Sequence, residues 1–201
     1  MALLFALGSL CFVLGSVPPY FEHVDAAIVG VTFFVGSVLF TSAATLQVRG
    51  SRTGVSLFSR EPARVNWWSA AVQWVGTLEF NVSTFAALLT GLSASQQRRL
   101  VWSPDFIGSG LFLASSVLGL VAVAIVVSTR RDRGIAWLNM AGSIAFGIAA
   151  VAAYVLPTTG EPINIAWVNA GTAIGGVCFF AASVWMGRPV PRRTEVPSGA
   201  A

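Results

Sequence analysis

An eight-residue pattern occurs six times along the chain, once in each apolar stretch: Gly, then Ser, Thr or Gly, two free positions, Phe, two more free positions and a small residue. The copies are GSLCFVLG (8–15), GSVLFTSA (36–43), GTLEFNVS (76–83), GSGLFLAS (108–115), GSIAFGIA (142–149) and GGVCFFAA (175–182). On a helix, residues four and seven apart share a face, so each copy presents a flat spot, a knob and a second flat spot. In lipid, small residues mark where helices approach closely, and such a face suits packing against an identical face of a neighbour. The pattern therefore predicts helix-packing pairs at Gly8 and Phe12, Gly36 and Phe40, Gly76 and Phe80, Gly108 and Phe112, Gly142 and Phe146, and Gly175 and Phe179.

The stretches that carry the repeat have the length of membrane crossings. Of 201 residues, 55% are hydrophobic and only 10% charged, and the mean hydropathy is +0.76, values that belong to membrane proteins. A crossing helix needs about 20 predominantly apolar residues, and the apolar runs lie at about 1–17, 26–48, 67–92, 104–128, 134–156 and 163–186. The first ends at Pro18-Pro19; with no basic leader and no A-x-A signal ahead of Tyr20, it is expected to be retained as a short span. Ser103-Pro104-Asp105 reads as a helix start, with Pro at the first helical position and an acid in the first turn. The fold class expected is all-α, a polytopic membrane protein with six transmembrane helices over 1–187, followed by a Pro-rich disordered tail at 188–201.

Six crossings place both termini on one side. With the termini cytoplasmic, Arg49, Arg52, Arg60, Arg64, Arg130, Arg131, Arg133, Arg188, Arg192 and Arg193 are inside and only Arg98 and Arg99 outside, the asymmetry of the positive-inside rule. Trp67, Trp68, Trp137 and Trp185 fall near cytoplasmic span ends and Trp102 and Trp167 near external ones, as interfacial anchors do. A multi-pass protein of the plasma or inner membrane is expected, with the lipid bilayer as its main partner and a homo-oligomer or another membrane protein as a further one. The Arg residues sit in short loops and not on one continuous basic face, which excludes nucleic-acid binding.

The repeats also match pairwise. GSLCFVLGSVPPY and GSIAFGIAAVAAY align at a constant offset, and Ile135-Ala136-Trp137-Leu138-Asn139 parallels Ile165-Ala166-Trp167-Val168-Asn169, so duplication of a helical hairpin is the simplest account. Three parallel hairpins and two inverted halves of three both remain open. The GSxxF spans and the run FFVGSVLFTSAATLQ resemble the YrhK-like small bacterial membrane proteins, over the first hairpin and less closely the last. That resemblance implies a helical hairpin in a bacterial membrane and transfers no functional residue; the middle pair of spans departs from it by carrying Glu79.

Glu79 stands in the fourth position of its repeat, where the other copies have Cys11, Leu39, Leu111, Ala145 and Cys178. A central acid costs about 2.5 to 3.5 kcal/mol on insertion scales, which the surrounding Leu, Val and Phe offset. One expectation is a proton or cation site at Glu79 with Asn81 and Ser83, in a small coupled transporter. The other is a hydrogen-bonded structural acid in a non-enzymatic module that packs or interacts through its small faces.

Gln73, Asp105 and Asn139 share a different register, each three residues before the repeat Gly. Cys11 and Cys178 lie in spans and lack the context of a secreted disulfide. Glu22, His23 and Asp25 fall short of a closed ligand set, so no metal is expected. No Ser/His/Asp arrangement and no phosphate loop exists, and no enzyme activity or cofactor is expected.

Overall fold

A computed structural model describes residues 1–51 and 62–189. Its helices are α1 (Ala2–Ser16), α2 (Pro18–Phe21), α3 (Ala26–Gly50), α4 (Pro62–Ala86), α5 (Ala94–Gln97), α6 (Ser103–Ala124), α7 (Arg130–Ala152) and α8 (Ile165–Gly187). Among the described residues the only β pairing is an isolated bridge between Val155 and Pro162. Arg52, Arg60, Arg192, Arg193 and the expected disordered tail beyond residue 189 lie outside the described residues.

Local chemistry sets the helix ends. Asp25 caps α3 by accepting from the Ala27 amide at 2.8 Å, and Thr129 and Asp132 form a capping box that starts α7 at Arg130. α7 thus begins four residues before the apolar run expected from residue 134, and it ends at Ala152, where the chain turns through Gly160, whose φ of 75° suits a residue without Cβ. Ser103 is not a helix start. It has helical angles, φ −62° and ψ −46°, because the chain is already helical from Ala94 and passes into α6 through a π-helical turn, Arg98–Trp102.

The six long helices close into a ring. α1 packs on α3, α3 on α4, α4 on α6, α6 on α7, α7 on α8 and α8 back on α1, so spatial order follows chain order. Two kinds of seam alternate. Within the pairs α1/α3, α4/α6 and α7/α8, repeat glycines meet: a Cβ built on Gly8 would lie 2.9 Å from the Gly36 carbonyl oxygen, one on Gly108 3.0 Å from that of Gly76, and one on Gly175 3.0 Å from that of Gly142. No other side chain permits that approach, which makes the hairpin the repeated unit and three hairpins the ring.

Between hairpins the second repeat position takes over. Ser37 and Thr84 share a hydrogen bond of 2.9 Å across α3/α4. Ser143 and Ser116 share one of 2.8 Å across α7/α6, and the Ser143 hydroxyl also donates to the Phe112 carbonyl. The third such seam, α1/α8, is tight backbone packing, with Gly176 against the Ser9 carbonyl.

Burial is inverted relative to a water-soluble bundle. The interior is Gly, Ala, Ser and Phe, while Leu3, Leu7, Leu10 and Leu14 of α1, Val31, Val35 and Val38 of α3, and Ile144, Ile148 and Val151 of α7 face outward. Branched aliphatics outside and small residues inside is the arrangement lipid demands. Four helices are long and apolar enough to cross a membrane: α3, the continuous Ala94–Ala124 helix, α7 and α8. α1 is a shorter apolar helix of 15 residues, and α4 carries both Arg64 and Glu79. The chain is accordingly a helical membrane protein whose outer faces contact lipid.

Candidate functional site

The repeat phenylalanines converge on the ring axis. Phe12, Phe40, Phe80, Phe112, Phe146 and Phe179 form one buried cluster, with centroid separations from 5.1 Å (Phe80 to Phe112) to 6.4 Å (Phe12 to Phe80). Edge-to-face contacts, such as Phe40 on Phe179 and Phe112 on Phe179 at interplanar angles of 84° and 88°, alternate with tilted ones such as Phe146 on Phe179 at 38°. This geometry favours the ring quadrupoles. Six helices therefore contribute one knob each to a single transverse layer across the ring.

One turn before each repeat Gly lies a second register on the same helix face. Because neighbouring helices run in opposite directions, this register alternates between the two sides of the Phe layer. On the side that holds Met1, here the proximal side, it supplies Phe5, Gln73 and Asn139, which line one small cavity together. On the distal side it supplies Phe33, Asp105 and Thr172, which line another. Gln73, Asp105 and Asn139 share a spacing in the sequence because they are equivalent axial positions.

The distal cavity has a volume of about 300 Å³. Its floor is Phe12, Phe80 and Phe146 of the aromatic layer, and the small eighth positions Ser83 and Ala149 leave the room above them. Gln97, Val101 and Trp102, at and beside the π turn, contribute to its wall. The turn is held by two bonds, one to the last turn of α7 and one to the loop that follows it: the Trp102 indole N–H donates to the Ala150 carbonyl at 2.9 Å, and Arg98 donates to the Val155 carbonyl at 3.3 Å. π-helical turns commonly mark functional positions, since they re-aim the side chains around them.

Asp105 is the carboxylate of this cavity. It is half-buried, lies one turn beyond the π segment and makes no hydrogen bond or ion pair among the described residues. A proximal cavity of about 470 Å³ is more polar, lined by Gln47, Asn66, Gln73, Ser115, Asp132 and Asn139 among others. The Phe layer separates the two spaces.

Glu79 occupies a different place. The fourth repeat position faces the hairpin partner and not the axis: the Glu79 Cβ stands 3.3 Å from a Cβ built on Gly108, the Leu111 Cβ 3.1 Å from one on Gly76 and the Cys11 Cβ 2.8 Å from one on Gly36. Glu79 is half-buried on the α4/α6 seam between exposed Leu78 and buried Phe80. It is not among the residues lining the distal cavity. Asn81 points to the opposite seam, donating to the Thr41 hydroxyl of α3 at 2.9 Å, while its Oδ1 is buried without a partner. Ser83 is buried and does line the cavity. The three residues grouped by sequence thus face α6, α3 and the axis respectively.

No group of three or more His, Cys, Asp or Glu side chains that could hold a metal occurs among the described residues. Asp25, in the Glu22–Asp25 cluster, is engaged as the α3 cap. Comparison with known proteins adds nothing to the site: no protein-family model, curated protein or solved structure matches the chain.

Proposed function

We propose that the chain is a non-enzymatic transport protein of a bacterial inner membrane, crossing it six times with cytoplasmic termini and moving a small solute along the ring axis past the Phe layer. The observation that carries this reading is the pair of axial cavities, about 300 Å³ and about 470 Å³, separated by a closed aromatic layer. Transport folds place binding sites near mid-depth, between repeated units, and apolar constrictions gate by excluding water. The two crossings beyond those set by length and composition are α1 and α4, which complete the ring and supply Phe12 and Phe80.

The orientation draws support from the described arginines. Arg49, Arg64, Arg130, Arg131, Arg133 and Arg188 cluster at the proximal end, against Arg98 and Arg99 at the distal end. A pure packing or interaction module fits less well, since the small faces on which that reading rests are already occupied by the chain's own helices. The YrhK-like resemblance supports the bacterial membrane setting and no more.

Opening the layer provides the test. In proteoliposomes with an entrapped pH dye, Phe80→Ser with Phe112→Ser is expected to raise ion permeability at least about fivefold over the parent protein, as wetting of a hydrophobic gate does. A correctly inserted double variant as tight as the parent contradicts the reading.

A further inference from the structure

We infer that the distal cavity binds a small organic monocation, an amine or quaternary ammonium with an apolar or aromatic body, and that Asp105 is its counter-ion. The inference rests on the transport reading only for the use of the site; occupancy of the cavity is a separate matter.

The chemistry of the walls selects the ligand. A lone carboxylate set among apolar walls lacks the compensation that a buried charge needs, and Asp105 has no partner among the described residues. The nearby Arg98 is directed to the Val155 carbonyl and makes no ion pair with it. A cation is therefore the complement. A hard metal ion is a poor one, because it requires about six oxygens or more, and Asp105 is the one carboxylate among the residues that line the cavity, where Thr84 already donates to the Phe80 carbonyl and Thr172 to the Val168 carbonyl. What the cavity offers in abundance is aromatic surface, from Phe12, Phe33, Phe80, Trp102 and Phe146. Ring faces attract weakly hydrated organic cations, and the ligand's apolar body gains by leaving water. The volume of about 300 Å³ is at the small end of ligand pockets, which limits the guest to one of about ten to twelve heavy atoms.

The experiment is calorimetric titration of the detergent-solubilised full-length protein with benzyltrimethylammonium. Saturable 1:1 binding is expected, with at least tenfold preference over neopentylbenzene, the neutral analogue in which carbon replaces nitrogen. Asp105→Asn should weaken binding at least tenfold, and Asp105→Glu should keep most of it. No saturable binding, equal binding of the neutral analogue, or undiminished binding by a folded Asp105→Asn protein overturns the inference. The comparison of cation with neutral analogue needs only the parent protein, so it stands even if Asp105→Asn fails to fold. Uptake of the same cation into proteoliposomes separates the two readings: binding without uptake counts against transport alone, and leak through an opened Phe layer without binding counts against this inference alone.

Discussion

Gly8 and Gly147 are both helical glycines in repeat-bearing spans, but they differ in what a methyl group would meet. On Gly8 a Cβ would lie 2.9 Å from the Gly36 carbonyl oxygen and 3.2 Å from the Phe40 amide nitrogen, whereas on Gly147 nothing lies within 4 Å. Backbone cannot move aside as a side chain can. Gly8→Ala is expected to destabilise by about 1–3 kcal/mol, as overpacking does. Gly147→Ala should be neutral or gain up to about 1 kcal/mol from helix propensity. Thermal unfolding followed by tryptophan fluorescence separates the two.

The carboxylates show what residue-level reading recovers and what it misses. Glu79 is conspicuous in sequence because it is an acid in an apolar run, and that oddity is real. Its direction is harder to read, since a helix turns about 100° per residue and Glu79 and Phe80 face the seam and the axis respectively. Asp105 is inconspicuous because Ser-Pro-Asp imitates a helix start. Its axial role requires knowing that the helix began at Ala94, and the shared spacing with Gln73 and Asn139 was the signal that pointed there. Glu79→Gln is therefore expected to leave organic-cation binding within about twofold of the parent, as for sites without shared partners. A tenfold loss in calorimetry would place Glu79 in the site after all.

At the scale of elements, the chain repeats one device with one substitution of detail per copy. The Gly pairs and Phe knobs were legible because they recur at fixed spacing, and recurrence in six apolar stretches is hard to produce by composition alone. The seams between hairpins were not, because Ser and Thr in a span look alike whether they bond to their own helix or to a neighbour. Ser9 and Ser143 illustrate this: Ser9 donates to the Phe5 carbonyl of its own helix at 2.7 Å, whereas Ser143 donates across α6/α7 to the Phe112 carbonyl at 3.2 Å.

The π turn was also hidden, since no residue type announces it. It is nonetheless a fixed element, tied at the Ala150 carbonyl by Trp102. Trp102→Phe keeps the apolar wall and removes the donor, leaving that carbonyl to water or to nothing. A destabilisation of about 1–3 kcal/mol is expected, read as a lower unfolding temperature in detergent. An unchanged temperature would mean the turn is held without that bond.

At the scale of the whole molecule, sequence left open whether the repeats form three hairpins or two inverted halves, because either builds six antiparallel spans. The helices form a ring in chain order, with Gly–Gly contacts inside each hairpin and the Phe layer where the three hairpins meet. Closure depends on α1 meeting α8. Without that seam the axis would open to lipid between α1 and α8.

A disulfide across that seam tests closure directly. A Cβ on Gly187 of α8 would stand 3.4 Å from the Ala2 Cβ of α1 and meet nothing closer, near the Cβ separation of a disulfide, so Ala2→Cys with Gly187→Cys, in a chain whose Cys11 and Cys178 are replaced by Ala, places two thiols in reach. A protease site inserted within residues 52–61 then splits the chain between α3 and α4. Oxidation in native membranes is predicted to keep the two fragments joined on a non-reducing gel and to release them on reduction. Fragments that separate without reductant, or that join only between different copies of the chain, would contradict the ring.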